Sequence, residues 1–333
     1  MVGDPIHFVT LGLFIIDEFQ EVDANGSLVR LQPQVGGNGL YASVGARIWL
    51  PPTQVGMVIE KGSDFPPRVQ ADLEKYGRDM WLFKSLPNQL TTRSMTTFRN
   101  NQREFKYLTA RPPTTTKIIN GTKFERARTV HFHCAPSEAI SLVREMDCIP
   151  KWNPITVYEP HPLACNPAEL PSLISILPRI NILSPNSTEA LALLSIKDAP
   201  SRSVIEGAAK FFLKYGVGPG GQGYVIIRCH DLGSYVACRQ RGVWIDAYWT
   251  NNNARRVVDV TGAGNAYLGG LSAGLYYTHD VFEAALYATV SASYTIEQRG
   301  LPKLTRFWKT EKWNGDSPRK RLKNLKARHE SRI

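Results

Sequence analysis

The sequence predicts an α/β fold: a mainly parallel central sheet covered on both faces by helices, with a second, small β-sheet beside it. Three observations predict it. Strand-like apolar runs alternate with helical stretches from residue 129 onward. Two hairpin signals precede that point. Near the C-terminal end, Thr261-Gly262-Ala263-Gly264 turns the chain into a helix rich in Ala, Gly and Leu. The chain has 333 residues, long for one domain, and its 43% hydrophobic content suffices for one large core.

His7-Phe8-Val9-Thr10-Leu11-Gly12, followed by Leu13-Phe14-Ile15-Ile16-Asp17, reads as one buried strand ending in an acid. Residues 19–22 and 28–31 flank Asp23-Ala24-Asn25-Gly26, and Asn-Gly between strand-like runs signals a hairpin. A second hairpin joins residues 95–98 to 104–107 across Asn100-Asn101-Gln102. These hairpins are too polar for a core sheet and make a four-stranded sheet of their own. Between them, Gly36-Gly37-Asn38-Gly39 opens a helix over residues 40–49. Strands then follow at 129–133, 155–158, 180–184 and 224–228, with helices at 137–146, 188–194 and 203–215. This alternation indicates parallel strands packed between helices.

The segment Asp259-Val260-Thr261-Gly262-Ala263-Gly264-Asn265 carries the chemistry. Glycines allow unusual dihedrals and close backbone approach. The free N–H groups of the first helical turn and the helix dipole then favour an anion in front. The same glycines also suit plain helix-on-sheet packing. No Lys-Ser/Thr follows them, so this is not a Walker loop, and no GxGxxG dinucleotide signature opens the chain.

These residues resemble the second signature of the pfkB (ribokinase-like) carbohydrate kinases, usually Asp-Thr-x-Gly-Ala-Gly-Asp. Other segments match in the family's order across residues 6–302. Gly12 and Asp17 resemble its first-strand pair, whose Asp binds a sugar hydroxyl. Gly36-Gly37 resembles its glycine turn beneath the sugar, and Gly62-Ser63-Asp64 its Gly-x-Asp loop. Asn186-Ser187-Thr188-Glu189 resembles the Asn-x-x-Glu motif near Mg²⁺ and the phosphates. Gly233 resembles the last glycine of the ATP loop. The resemblance implies a ribokinase-like three-layer α/β/α sandwich over residues 1–302, with a β lid from about 18–34 and 88–115. Short stretches such as Phe14-Ile15-Ile16-Asp17-Glu18 and Phe105-Lys106-Tyr107-Leu108-Thr109 are most similar to a fungal subgroup linked to maintenance of a double-stranded RNA virus.

The implied site is then as follows. Gly262, Ala263 and Gly264 hold developing charge, with Asn265 at the catalytic position. Asp259, Thr261, Arg228 and Gly233 contact the nucleotide. Asn186 and Glu189 hold Mg²⁺ through water. Asp17, Gly36, Gly37, Tyr41 and Asp64 form the substrate pocket. ATP and Mg²⁺ are the expected cofactors, with a monovalent cation as an option. The expected partner is a sugar-like or nucleoside-like alcohol, and the lid offers a homodimer contact.

The pattern breaks at three places. Where the family has a proton-accepting Asp, this chain has Asn265, and a carboxamide orients a hydroxyl without holding its proton. Tyr41 stands where an Asn often binds sugar. Arg228 and His230 replace the Thr and first Gly of the ATP loop Thr-x-Gly-x-x-Gly, crowding the nucleotide. The implied activity is a weak kinase; the alternative is a pseudokinase-like binding protein. His131 and His133 alternate on one strand and read as a satisfied core pair, not a zinc site.

The formal charge of +11 is uneven. Residues 303–333 hold eleven Lys/Arg against three Asp/Glu, leaving the body near neutral. Pro318-Arg319-Lys320-Arg321-Leu322-Lys323 continues into more basic residues. It reads as a nuclear-import segment, an RNA or protein contact or, the preferred reading, a solvated, partly disordered or helical extension. No apolar run is long enough to cross a bilayer. The start lacks secretory-signal features, and five irregularly spaced Cys read as free thiols. The expected location is the cytoplasm, with the nucleus as a second site.

Overall fold

A computed structural model describes residues 5–22, 27–99, 102–308 and 310–331. The turns read at 23–26 and at 100–101 lie outside the described residues. The chain opens with β1 (Phe8–Thr10), then leaves the main sheet as β2 (Ile15–Val22) and β3 (Leu28–Gly36), and returns through α1 (Asn38–Arg47). β4 (Val55–Gly62), α2 (Pro67–Glu74) and β5 (Trp81–Leu86) build one edge of the main sheet, and β6 (Arg93–Arg99) and β7 (Gln102–Tyr107) rejoin the small one. Next come β8 (Thr129–Cys134), α3 (Pro136–Asp147), β9 (Ile155–Pro160), α4 (Leu170–Ile176), β10 (Ile182–Leu183), α5 (Ser187–Leu193), α6 (Arg202–Lys214) and β11 (Tyr224–Arg228). β12 (Ser234–Ala237) and β13 (Gly242–Ile245) precede α7 (Ala263–Thr278) and α8 (Val281–Thr295). The chain ends in β14 (Leu304–Phe307), β15 (Thr310–Trp313) and α9 (Pro318–Glu330).

The main sheet has nine strands in the order β13-β12-β11-β10-β9-β8-β1-β4-β5. From β11 to β5 every pairing is parallel, and β12 and β13 add an antiparallel edge. Both faces are buried, as a parallel sheet requires. Ile226 points into the core beneath α1, α7 and α8, while its neighbours Val225 and Ile227 point into the core beneath α3 to α6. This is a three-layer α/β/α sandwich. On one face the helices pack very closely. A methyl added at Gly45 would collide with the Ala266 backbone, and one at Gly269 with the Ala42 carbonyl. Small residues in α7 therefore serve packing as well as the turn before it.

The small sheet runs β3-β2-β6-β7, with β2 and β6 parallel and both outer pairings antiparallel. The single strand read over residues 7–17 is two strands in two sheets. Gly12 N–H donates to Thr10 Oγ1, and Leu13 N–H to Asn38 Oδ1, so the chain bends between them. Asp17 thus lies inside a lid strand rather than at the end of a core strand.

The C-terminal segment also corrects its reading. It is helical over Pro318–Glu330, as one alternative had it, but it packs on the body along one side while Arg319, Lys320 and Lys323 stay exposed. Trp313 is fully buried and stacks on Tyr76. Arg47, itself buried, donates to Glu311 Oε2 at 2.8 Å. In α9, Leu322, Leu325 and Arg321 are buried against α8. Alternation of charge along a sequence does not reveal which cation finds a buried partner, and Arg321 finds Glu297 at 2.8 Å.

Candidate functional site

In open α/β sheets, ligands bind beyond the carboxyl ends of the strands where the order reverses. β1 is that point here, with β4 on one side and β8 on the other. A cleft of about 880 Å³ opens there. Asp17 of β2 and Phe105 and Tyr107 of β7 roof it, and Glu159, Arg228 and the start of α7 form its floor. The four-stranded sheet is thus a lid over the main sheet.

The floor is an interlocked set of charges. Glu159, at the end of β9, is 4% exposed. Its Oε2 accepts from Asn265 Nδ2 at 2.6 Å, and its Oε1 pairs with Arg228 Nη2 at 2.7 Å. His133 Nδ1 and His131 Nε2 lie 3.3 and 3.6 Å from the same carboxylate. Burial alone would raise the Glu159 carboxyl. Arg228 and the two histidines outweigh burial and hold it well below the usual carboxylate range. Arg228 Nη2 also donates to the Ser184 carbonyl and stands 3.6 Å from Glu189. Burial raises the Glu189 carboxyl, and Arg228 only partly offsets this.

Asn186 and Glu189 cap α5 by holding each other. The Asn186 side chain accepts from Glu189 N–H, and both nitrogens of Asn186 donate to the Glu189 carboxylate at 2.7 Å. Both residues still line the cleft. This donor set does not suit Mg²⁺. The local cation is already Arg228, both carboxylates face it, and Glu189 is engaged by its own cap. A nucleotide fits the cleft in size. Its wall carries Ala247, Tyr248 and Trp249, and in the loop after β11 His230 adopts the left-handed φ of 49°. Gly233, at φ 87°, is the loop's true glycine.

The turn before α7 is built as glycines require. Gly262 sits at φ 76° with the Tyr41 ring against it, and a Cβ there would strike that ring. A Cβ at Gly264 would strike Arg228 Nη1. Asn265 is the third residue of α7 and not its cap. No acceptor for the N–H of Gly264 or Asn265 is found among the described residues.

Gly37, Thr261 and Ala263 also line the cleft, joining Asp17, Tyr41, Asn186, Glu189, Arg228, Gly233, Gly262, Gly264 and Asn265. Three expected site residues stand elsewhere. Asp64 accepts from Thr91 N–H and pairs with Arg93, so it fastens the lid strand β6 to the loop after β4. The Asp259 carboxylate turns back to accept from Thr261 N–H at 2.9 Å, shaping the turn. Gly36 lies behind Asp17, where a Cβ would strike the carboxylate. Asp17 itself accepts from Ser94 Oγ.

Sequence reasoning missed Glu159 and His161 and assigned His133 to the core. His131 is a core residue, fully buried and bonded to Thr10 Oγ1. His133 lines the cleft with its ring tilted against that of His161, centroids 4.9 Å apart. The available signal was an acid and a histidine ending a parallel strand, Tyr158-Glu159-Pro160-His161. Among the described residues no His/Cys/Asp/Glu group suits a metal ion.

A parallel-sheet sandwich with a β lid and a glycine turn at its cleft defines the class, and comparison with known proteins gives the family. The model of the pfkB family carbohydrate kinases matches residues 157–304. An uncharacterized protein of Schizosaccharomyces pombe is 31% identical over 96% of this chain and 92% of its own length. Protein MAK32 of Saccharomyces cerevisiae is 27% identical over 95% of this chain and 90% of its own. The solved structure of Arabidopsis thaliana ribokinase complexed with ribose and ATP shares the fold, with TM-score 0.66 and 16% identity over 96% of this chain and 98% of that one. The chain belongs to the pfkB family and has its ribokinase-like fold.

Proposed function

We propose that this protein binds a sugar-like or nucleoside-like alcohol beneath its lid, and that phosphoryl transfer from ATP to that alcohol is suppressed. One observation carries the reading: Asn265 donates its amide to Glu159, which is already neutralised by Arg228. The group best placed to receive a hydroxyl proton is therefore an amide. The nearby carboxylate is held ionised by a buried cation, which makes it a poor base. General-base assistance is commonly worth about 10²–10⁴-fold in rate.

The binding role is supported by what the cleft retains. Asp17, Asn38 and Tyr107 line its lid end with polar atoms, and Ile15, Tyr41 and Phe105 supply apolar surface, the usual mixture of a small-molecule site. The similarity to a ribokinase solved with ribose and ATP supports the ligand class. A nucleotide, when bound, would lie along the loop ending at Gly233 and the Ala247–Trp249 wall and would bring the phosphoryl group. Residual slow transfer is the second reading. It is favoured by the N–H groups of Gly264 and Asn265, unmet among the described residues, which would still stabilise developing charge.

Thermal-shift and calorimetric binding against a panel of sugars and nucleosides, run beside a turnover assay with ATP and Mg²⁺, separates the two. The expected result is saturable binding with no turnover above background. Turnover at the roughly 1 s⁻¹ or more common for kinases overturns the proposal, and a slow rate far below that supports the second reading.

A further inference from the structure

The hairpin of β14 and β15 is held to the body by one face. In its ladder Leu304 pairs with Trp313 and Arg306 with Glu311, and these four turn inward. Leu304 packs on the core, Trp313 is fully buried on Tyr76, Glu311 takes the Arg47 guanidinium, and Arg306 donates to the Lys75 carbonyl at 2.8 Å. The alternate residues, Thr305, Phe307, Thr310 and Lys312, are exposed on the other face. Phe307 is 72% exposed and Trp308, in the turn, 91%. Two adjacent aromatics at the tip of a braced ribbon form a contiguous open patch, unlike the single apolar residues common on any surface. The turn's own chemistry points the same way. Trp308 sits at φ 56°, a left-handed backbone that a two-residue hairpin turn normally gives to Asn or Gly. A bulky ring there strains the turn and gains little packing, since the ring it meets, Phe307, is itself open.

Charge selects the occupant. Residues 303–313 hold four Lys/Arg against one acid, and that acid, Glu311, is turned inward onto Arg47 and Arg306. Lys312 is exposed on the outward face with Phe307, and Lys303 is exposed at the foot of the ribbon. A second copy of the tip would meet it with like charge. The two rings are tilted by 56° with centroids 6.5 Å apart, so they offer no parallel platform for successive stacked bases. Exposed aromatic rings beside lysines are the side chains that settle at the headgroup level of a bilayer carrying anionic lipids. We propose that this tip is a peripheral membrane contact, in which Phe307 and Trp308 enter the headgroup region of an anionic lipid surface and Lys303 and Lys312 face its charge. Two rings and a few cations give a reversible attachment, not an anchor.

Co-sedimentation of the full chain with phosphatidylcholine vesicles, with and without about 30% phosphatidylserine, at about 0.05 M and again about 0.5 M salt, tests this. The expected result is binding to the anionic vesicles at low salt, at least about tenfold weaker to neutral vesicles and at high salt. Phe307→Ser with Trp308→Asn should lower binding at least about tenfold. Its denaturation midpoint should be unchanged or raised, because both side chains are exposed and Asn suits the turn, which separates a lost contact from a lost fold. Lys312→Gln should weaken binding about fivefold, the scale of one basic residue near an anionic surface. No vesicle binding, equal binding to neutral and anionic vesicles, or binding unchanged in the aromatic variant overturns the proposal. Retention of a labelled oligouridine that is lost in the same variant, with no vesicle binding, would assign the tip to nucleic acid instead.

Discussion

Two buried arginines, Arg228 in the cleft floor and Arg321 in α9, show how similar burial serves different ends. Arg321 is 3% exposed and fully engaged. Nε donates to Asp316 at 3.1 Å, Nη1 to Ser293 Oγ at 3.0 Å, and Nη2 pairs with Glu297 at 2.8 Å. The guanidinium lies 3.7 Å from the Tyr294 ring centroid. Every edge has a protein partner. Arg228 has partners on one edge only among the described residues. A satisfied buried charge specifies how segments dock, and a half-satisfied one leaves a buried donor unmet at a cost. The two are linked in space. Ser293 lines the cleft, and Arg328 of α9 donates to the carbonyls of Ala247 and Tyr248 in its wall. The basic C-terminal segment therefore braces the ligand cleft.

The largest expected effect comes from breaking the satisfied member. Removing residues 317–333 uncovers the α8 surface on which Leu322 and Leu325 pack and leaves Glu297 without its cation, so the truncated chain should fail to give a cooperative denaturation transition. Arg321→Met alone should cost about 3–5 kcal/mol in chemical denaturation, the usual result of orphaning a buried carboxylate. An independent, freely solvated tail would instead leave the midpoint unmoved.

Removing the half-satisfied arginine together with its carboxylates should cost much less. Arg228→Met with Glu159→Gln and Glu189→Gln replaces the buried cation and both carboxylates facing it by neutral groups and is expected to change stability by under about 1.5 kcal/mol, because the desolvation of all three charges is relieved at once. A loss as large as that of Arg321→Met would erase the distinction between the two sites.

A subtler effect depends on pH. Asn265→Asp would set a second carboxylate where an amide now donates to Glu159 at 2.6 Å. Two carboxylates at that distance share a proton, and the pair's folded pKa rises above its unfolded value. Stability relative to the natural protein should thus be retained below about pH 4 and decline as pH rises through the raised pKa. Adding Glu159→Gln should abolish that dependence. Parallel profiles for Asn265→Asp and the natural protein would show that the two side chains are not in contact.

The smallest effect concerns His161. Burial, with His133 and Arg111 adding to it, pushes its imidazole down to about 4. The unfolded chain takes up that proton first, near pH 6.5, so this histidine's contribution to stability falls as pH drops from about 6.5 to 4. Nuclear magnetic resonance titration should find the ring neutral until about pH 4, and an ordinary midpoint near 6.5 would place it in open solvent.

The sequence made much of this fold legible for specific physical reasons. Parallel strands such as Tyr224–Arg228 are short apolar runs between helical periods, and the hairpins carry polar alternation around turn residues. The turn before α7 is legible because Gly262 needs a left-handed φ and Gly264 a missing Cβ. Position along the chain could not reveal direction. Asp64 and Asp259 have the expected residue type, yet their carboxylates turn to Arg93 and to Thr261 N–H. Glu159 went unread because an acid after an apolar strand looks like a turn residue. Its importance comes from Arg228 and Asn265, which reach it only once three elements converge. The basic C-terminal stretch misled because charge density signals solvation, whereas burial of Arg321 depends on Glu297, Ser293 and Tyr294 of another helix and its end.

Asn265, Glu159 and Arg228 form one coupled device, so restoring the carboxylate at one position is not expected to restore phosphoryl transfer. The decisive experiment is single-turnover phosphoryl transfer by the Asn265→Asp variant, compared with the natural protein on any alcohol that binds the cleft. No gain is expected, because the introduced carboxylate would share a proton with Glu159 and face the Arg228 cation. A rise of about 10²–10⁴-fold, the contribution of a working general base, would contradict it.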